Sequence, residues 1–263
     1  MDSDRLTYMN AIAKKLEATT NFVVQNLPAD EVIGLIVAKG ATSIIQENSP
    51  DFELEKQFVK TIEQNASSFF SDPLKTILGA SLIDQTQINF KESVQKSETI
   101  EKVKAWLSGV KGAKRLDDAI YLIVDELFTN AIYNALPFFV GLNDGLDRRE
   151  KVDLTDRKTC KLFVGYNERR LILGCSDSFG SLNIVKLITQ LHSTYLKGIA
   201  GSIKYGAGGA GVGSRLMFDS CINFYIGVRE HEQTTVALGL PIGPNARGID
   251  TSFKNIHLIR SNE

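Results

Sequence analysis

The chain has 263 residues, 43% hydrophobic and 23% charged, and its 30 Lys and Arg nearly balance 31 Asp and Glu, for a formal net charge of −1. This composition suits one large globular domain or a medium one with a smaller companion, and it argues against a general polyanion binder. No apolar run reaches the roughly 18–20 residues of a membrane-spanning helix, and MDSDRLTYMN lacks the basic start and apolar middle of a secretory signal. Three cysteines without close-spaced partners, Cys160, Cys175 and Cys221, fit core positions in a reducing cytoplasm, the expected location.

In chain order, residues 1–84 read as a helical region, with apolar spacing over 6–24, 31–46, 52–70 and 74–78. Asn26-Leu27-Pro28, Ser49-Pro50 and Asp72-Pro73 break it. It carries no recognisable chemistry and is expected to be a dimerisation or docking unit.

The pattern changes near residue 85. Residues 86–94 alternate as a strand, 97–110 return to helical spacing around Trp106, and 116–136 form the most strongly helical stretch, stopped by Pro137. After a polar loop, 161–166 and 170–176 are strands joined too closely for a crossover, so a hairpin is predicted. A helix over 183–192, a glycine-rich segment, a helix over 213–220 and a second hairpin over 222–229 and 234–240 complete the pattern. The order predicts a mixed sheet with helices on one face, an α/β two-layer sandwich over residues 85–263.

Three features carry chemistry. The apolar helix 116–136 contains Glu126, Asn130 and Asn134 at i, i+4 and i+8, which project within roughly 80° of one another. Such a row suits Mg²⁺, which prefers hard oxygen donors. The competing reading extends the row by Asp125, Thr129 and Tyr133 into the solvated edge of an amphipathic helix.

Second, seven of the 21 glycines fall between Gly198 and Gly213, directly before a helix start, where free N–H groups attract phosphate. The segment spells G-x-G-x-x-G from Gly206 to Gly211. The preceding GIAGSIKY is not a buried strand, however, and no G-K-[ST] follows, so dinucleotide and Walker A readings fall away. Third, Asp177 follows a buried strand, where it can accept a hydrogen bond from an adenine amino group or serve as a turn residue.

The order of these features, followed by Thr234-Thr235 on the last strand, resembles the ATP-binding domain of the gyrase, heat-shock chaperone, histidine kinase and MutL superfamily (GHKL, the Bergerat fold) over residues 85–240. Within it the chain is most similar to anti-sigma-factor serine/threonine kinases. None of His192, His231 and His257 sits in a phospho-acceptor helix ahead of the domain, as a histidine autokinase would require.

The resemblance implies ATP and Mg²⁺ as cofactors. It makes Glu126 the general base and Asn130 the Mg²⁺ ligand, with Asn134 near the phosphates. Asp177 would bind the adenine amino group, and Thr234 would close the adenine pocket. Gly208, Gly209, Gly211, Val212 and Gly213 would form the second glycine box under the phosphates. Residues 193–207 would be a lid, with Lys197 or Lys204 reaching the phosphates.

Two departures stand out. The first glycine box reads Asp177-Ser178-Phe179-Gly180-Ser181 instead of Asp-x-Gly-x-Gly, with Phe179 expected on the lid or the base, and Gln233 replaces the usual glycine before the threonine. The implied partners are a STAS-domain anti-anti-sigma protein, a sigma factor or a response regulator, with a homodimer through the N-terminal helices and no direct nucleic acid. The altered box leaves open a nucleotide-dependent switch without hydrolysis, or a degenerate domain that binds no nucleotide.

Overall fold

The strand RLILGCSD (Arg170–Asp177) is buried at every position. Successive strand side chains point to opposite faces, so both faces of this sheet must be covered. The computed structural model describes residues 10–12, 14–16, 18–135, 150–154, 158–202, 212–243, 246 and 253–260. Among them are strands β1 (Asn21–Val24), β2 (Ser43–Gln46), β3 (Asp84–Phe90), β4 (Cys160–Tyr166), β5 (Arg170–Asp177), β6 (Asn223–Arg229), β7 (Gln233–Pro241) and β8 (Asn255–Arg260). The helices are α1 (Ala29–Lys39), α2 (Phe52–Gln64), α3 (Ser67–Ser71), α4 (Pro73–Leu78), α5 (Lys96–Leu107), α6 (Asp117–Thr129), α7 (Ile184–Ser202) and α8 (Val212–Ser220).

The strands form one mixed sheet in the order β1-β2-β8-β6-β7-β5-β4-β3. Both predicted hairpins are present, β4 with β5 and β6 with β7, each antiparallel. The parallel pairs are β1 with β2 and β6 with β8.

One face, here the front, carries Leu162, Val164, Leu171, Leu173, Phe224 and Leu238 into a core shared with α1, α5, α6, α7 and α8. The back carries Phe163, Ile172, Tyr225, Ala237 and Ile259 against Phe58, Phe69, Phe70, Leu74 and Ile77 of α2, α3 and α4. Glycines on β4 and β6 make room for this layer. A methyl group on Gly227 would collide with Phe69, and one on Gly165 would crowd Leu74.

The expected two-layer sandwich with helices on one face is therefore corrected to an α/β fold with helices on both. Each of the large back-face side chains contributes about 1.5–3 kcal/mol on burial, which makes this layer a second core and not an appendage.

The expected helical character of residues 1–84 is corrected as well. Residues 21–24, expected at the end of a helix, are β1. The helix expected over 31–46 stops at Gly40, whose φ of 71° leaves the right-handed helix, and SIIQ then forms β2. Residues 52–70 are broken at Asn65 into α2 and α3. Asp72 starts α4, its carboxylate accepting from the Lys75 N–H at 3.1 Å ahead of Pro73. Pairing of β2 with β8 joins this region to the far end of the chain.

Candidate functional site

Helix α6 is apolar on the side facing the sheet, with Ile120, Ile123, Val124, Leu127 and Phe128 buried. Its polar flank divides in two. Asp125 pairs with Lys96 of α5 at 2.5 Å, and the Lys96 ammonium also donates to the Thr129 hydroxyl at 3.1 Å. Thr129 and Tyr133 are buried, and the Tyr133 hydroxyl donates to the Glu150 carbonyl at 3.1 Å. The row is therefore not a solvated edge. Glu126 and Asn130, both half-buried, occupy the other flank.

Glu126 meets α8 there. A methyl group on Gly213 would meet both carboxylate oxygens of Glu126, so this acid lies directly against the first turn of α8. The sequence-predicted general base and the end of the sequence-predicted glycine box are thus in contact.

The helix expected to continue through 136 changes character after Thr129. Residues Asn130–Asn134 form a π-turn, with the Ala135 N–H bonded to the Asn130 carbonyl. This turn packs on the end of β5. The Cys160 thiol faces the Ala131 carbonyl at 3.8 Å, Cys160 is the register partner of Asp177, and the Ser181 hydroxyl donates to the Ala135 carbonyl at 3.3 Å.

Asp177 and Thr234 are direct partners across β5 and β7, both buried and both on the front face. Burial pushes the Asp177 carboxyl up to about 6, against the stabilising N–H groups of Phe179 and Gly180 and the nearby Thr234 hydroxyl. The Phe179 N–H donates to this carboxylate at 2.9 Å. The Thr234 hydroxyl lies toward the carboxylate but makes no hydrogen bond of ordinary geometry, so a buried polar atom remains available beside the acid.

Phe179, expected on the lid or the base, is instead 1% exposed in the front core, with the Lys158 ammonium 5.5 Å from its ring centre. Gly180, at φ 59°, is wedged against the β6–β7 turn. The His231 N–H donates to its carbonyl at 3.3 Å, and a Cβ would strike the Arg229 carbonyl. Gly208, Gly209, Gly211, Lys204 and the side chain of Asn134 lie outside the described residues. Among the described residues, no three His, Cys, Asp or Glu side chains converge on a point that could hold a metal. A cation at Asn130 would take most of its ligands from phosphate and water, as Mg²⁺ commonly does.

A second polar cluster escaped the sequence reading. Under α2, Glu55 accepts from Arg170, from Asn223 at 3.0 Å, from the Tyr225 hydroxyl at 2.8 Å and from His257 at 2.8 Å. All five side chains are inaccessible to solvent. The available signal was an arginine opening an otherwise apolar strand and a histidine inside NIHLIR. An open groove of about 720 Å³, bordered by Pro50, Asp51, Phe52, Ile83 and Arg169, lies at the Arg170 end of β5, away from Asp177, and no sequence-predicted site residue lines it.

No protein-family model matches the chain, and no curated protein matches it. Among the described residues, no helix is long and apolar enough to cross a membrane.

Proposed function

We propose that the chain binds Mg²⁺–ATP on the front face between α6, α8 and the Asp177 end of β5, and that it is a protein serine/threonine phosphotransferase of the anti-sigma-factor kinase type. The observation that carries this reading is the packing of the Glu126 carboxylate on Gly213 at the start of α8. It joins the acid to a helix N-terminus of the kind that receives phosphate. The second support is the buried Asp177–Thr234 pair on the same face of the sheet.

The residues fit the cofactor chemically. Bound nucleotide would supply the transferable phosphoryl group, with Mg²⁺ neutralising its charge. Asp177 and the unsatisfied Thr234 hydroxyl suit the amino edge of adenine. The Asn130 amide oxygen suits a hard cation, and Glu126 accepts the proton of the attacking hydroxyl. The acceptor in this reading is a serine or threonine on a STAS-domain partner.

Glu126→Ala is expected to leave ATP affinity within about threefold while transfer to the acceptor falls by at least about 10²-fold, the usual weight of a general base. Transfer at the parent rate in that variant would remove Glu126 from the base role.

The packing of Phe179 and Gly180 favours a second reading, a nucleotide-dependent switch without turnover. The loop that normally approaches the nucleotide is locked into the core and the β6–β7 turn. Saturable ATP binding with no phosphate release, even with partner present, would select it.

A further inference from the structure

At the β1–β2 end of the sheet, on the back face, Ser43, His257 and Glu55 form a continuous relay. Ser43 and His257 are directly opposed on β2 and β8. The Ser43 Oγ lies 3.1 Å from His257 Nδ1, and His257 Nε2 lies 2.8 Å from a Glu55 carboxylate oxygen. His257 and Glu55 are fully buried, whereas Ser43 is only partly so. The imidazole is held between two rings, stacked on Tyr225 at 5.2 Å and 13° and edge-on to Phe58 at 4.9 Å, which fixes its orientation.

The chemistry of Glu55 assigns the proton. Burial alone pushes its carboxyl up, but the Arg170 guanidinium, His257 and the Tyr225 hydroxyl together bring it down to about 2. The carboxylate is therefore ionised at neutral pH and can only accept. His257 donates to it from Nε2, so in the neutral form of the ring the lone pair lies on Nδ1, facing Ser43. The serine hydroxyl is then the donor and Nδ1 the base, the relation that activates a nucleophilic serine.

We propose that Ser43 is an activated nucleophile and that this corner of the sheet is an acyl-transfer site for small activated esters, independent of the nucleotide reading of the front face. The Ser43 Oγ attacks the ester carbonyl carbon as its proton passes to His257 Nδ1. The tetrahedral adduct collapses with cleavage of the ester C–O bond, and the departing alkoxide takes the proton from Nδ1. The product is an acyl ester of Ser43, which water releases as a carboxylic acid by the same path, Nδ1 again carrying the proton.

Access limits the substrate to a small one. Ser43 is only partly exposed and sits beside exposed Asn21, its register partner on β1, whose amide donates to Glu63 of α2 at 2.6 Å. Glu55 acts through His257 and is a positioning residue. Nothing in this step draws on Glu126 or Asp177.

The test is peptide mass spectrometry of the full chain after reaction with a small alkyl fluorophosphonate, which reports base-activated serines. The expected result is an adduct on Ser43, formed at least about 10²-fold more slowly in His257→Gln. No adduct on Ser43, or one formed equally fast in His257→Gln, would overturn the proposal and leave the cluster as a tether for α2. Should His257→Gln fail to fold, Ser43→Cys in the otherwise native chain decides. Alkylation by iodoacetamide at neutral pH at least about tenfold faster than free cysteine supports an activating imidazole, and alkylation at or below that rate overturns it.

Discussion

Asp177 is the residue on which front-face chemistry and stability meet. Its folded carboxyl titrates at about 6, above its ordinary 3.8, because burial outweighs the N–H groups and hydroxyl around it. Between these values the folded protein holds a proton that the unfolded chain has released. Stability from this group is therefore full below pH 4 and declines as pH rises to 6, by on the order of 3 kcal/mol. Asp177→Asn should abolish this slope and raise stability at pH 7, read as the urea midpoint at pH 4.5 and 7. An unchanged slope would show that the carboxylate is not desolvated. The residue itself was legible in the sequence, since a buried strand runs straight into it. Its pairing with Thr234 was legible only as motif order, because register across two hairpins is set by packing along the whole strand. Phe179 was misread because an aromatic in a glycine box can face a ligand or the core, and no local pattern separates the two.

At the scale of elements, α2 is fixed to the back of the sheet by a buried carboxylate. Glu55→Gln would leave the buried Arg170 guanidinium with only Asp51, 3.5 Å from its Nε, as counter-charge. A loss of about 3–5 kcal/mol is expected, measured by urea unfolding at pH 7. A loss below about 1 kcal/mol would contradict a mutual dependence of these charges. The wild-type contribution of Glu55 is present above its unfolded value of 4.5 and is lost as pH falls toward 2. The sequence predicted α2 well, because the spacing of Phe52, Leu54, Phe58 and Ile62 gives a helical face. It did not tell which surface that face would meet, nor that Glu55 would lie on the buried side, since polar partners on β5, β6 and β8 are remote in sequence. The π-turn at Asn130–Asn134 was invisible for a related reason: NAIYN has the apolar spacing of an ordinary helix, and the turn widens only where it packs against Cys160 and Ser181.

For the whole molecule, the sheet spans nearly the entire chain. The local hairpins were readable from short connections and alternating residues. The strands β1, β2 and β8 were not, because four-residue segments such as NFVV and SIIQ carry little periodicity, and β2 pairs with β8 across about two hundred positions. Removal of residues 1–80 would strip β1 and β2 from the sheet and expose the back-face side chains Phe163, Ile172 and Tyr225. That truncation is expected to be insoluble or to lack a cooperative thermal transition. A soluble, cooperatively folding fragment 81–263 would show that the N-terminal layer is dispensable.

The central claim concerns the front face, and calorimetric titration of the full chain with ATP in the presence of Mg²⁺ tests it most directly. The account predicts saturable binding of one nucleotide per chain, weakened at least about tenfold in Asp177→Ala and made insensitive to Mg²⁺ in Asn130→Ala. No binding heat at any temperature tried, or binding unaltered in both variants, would contradict it.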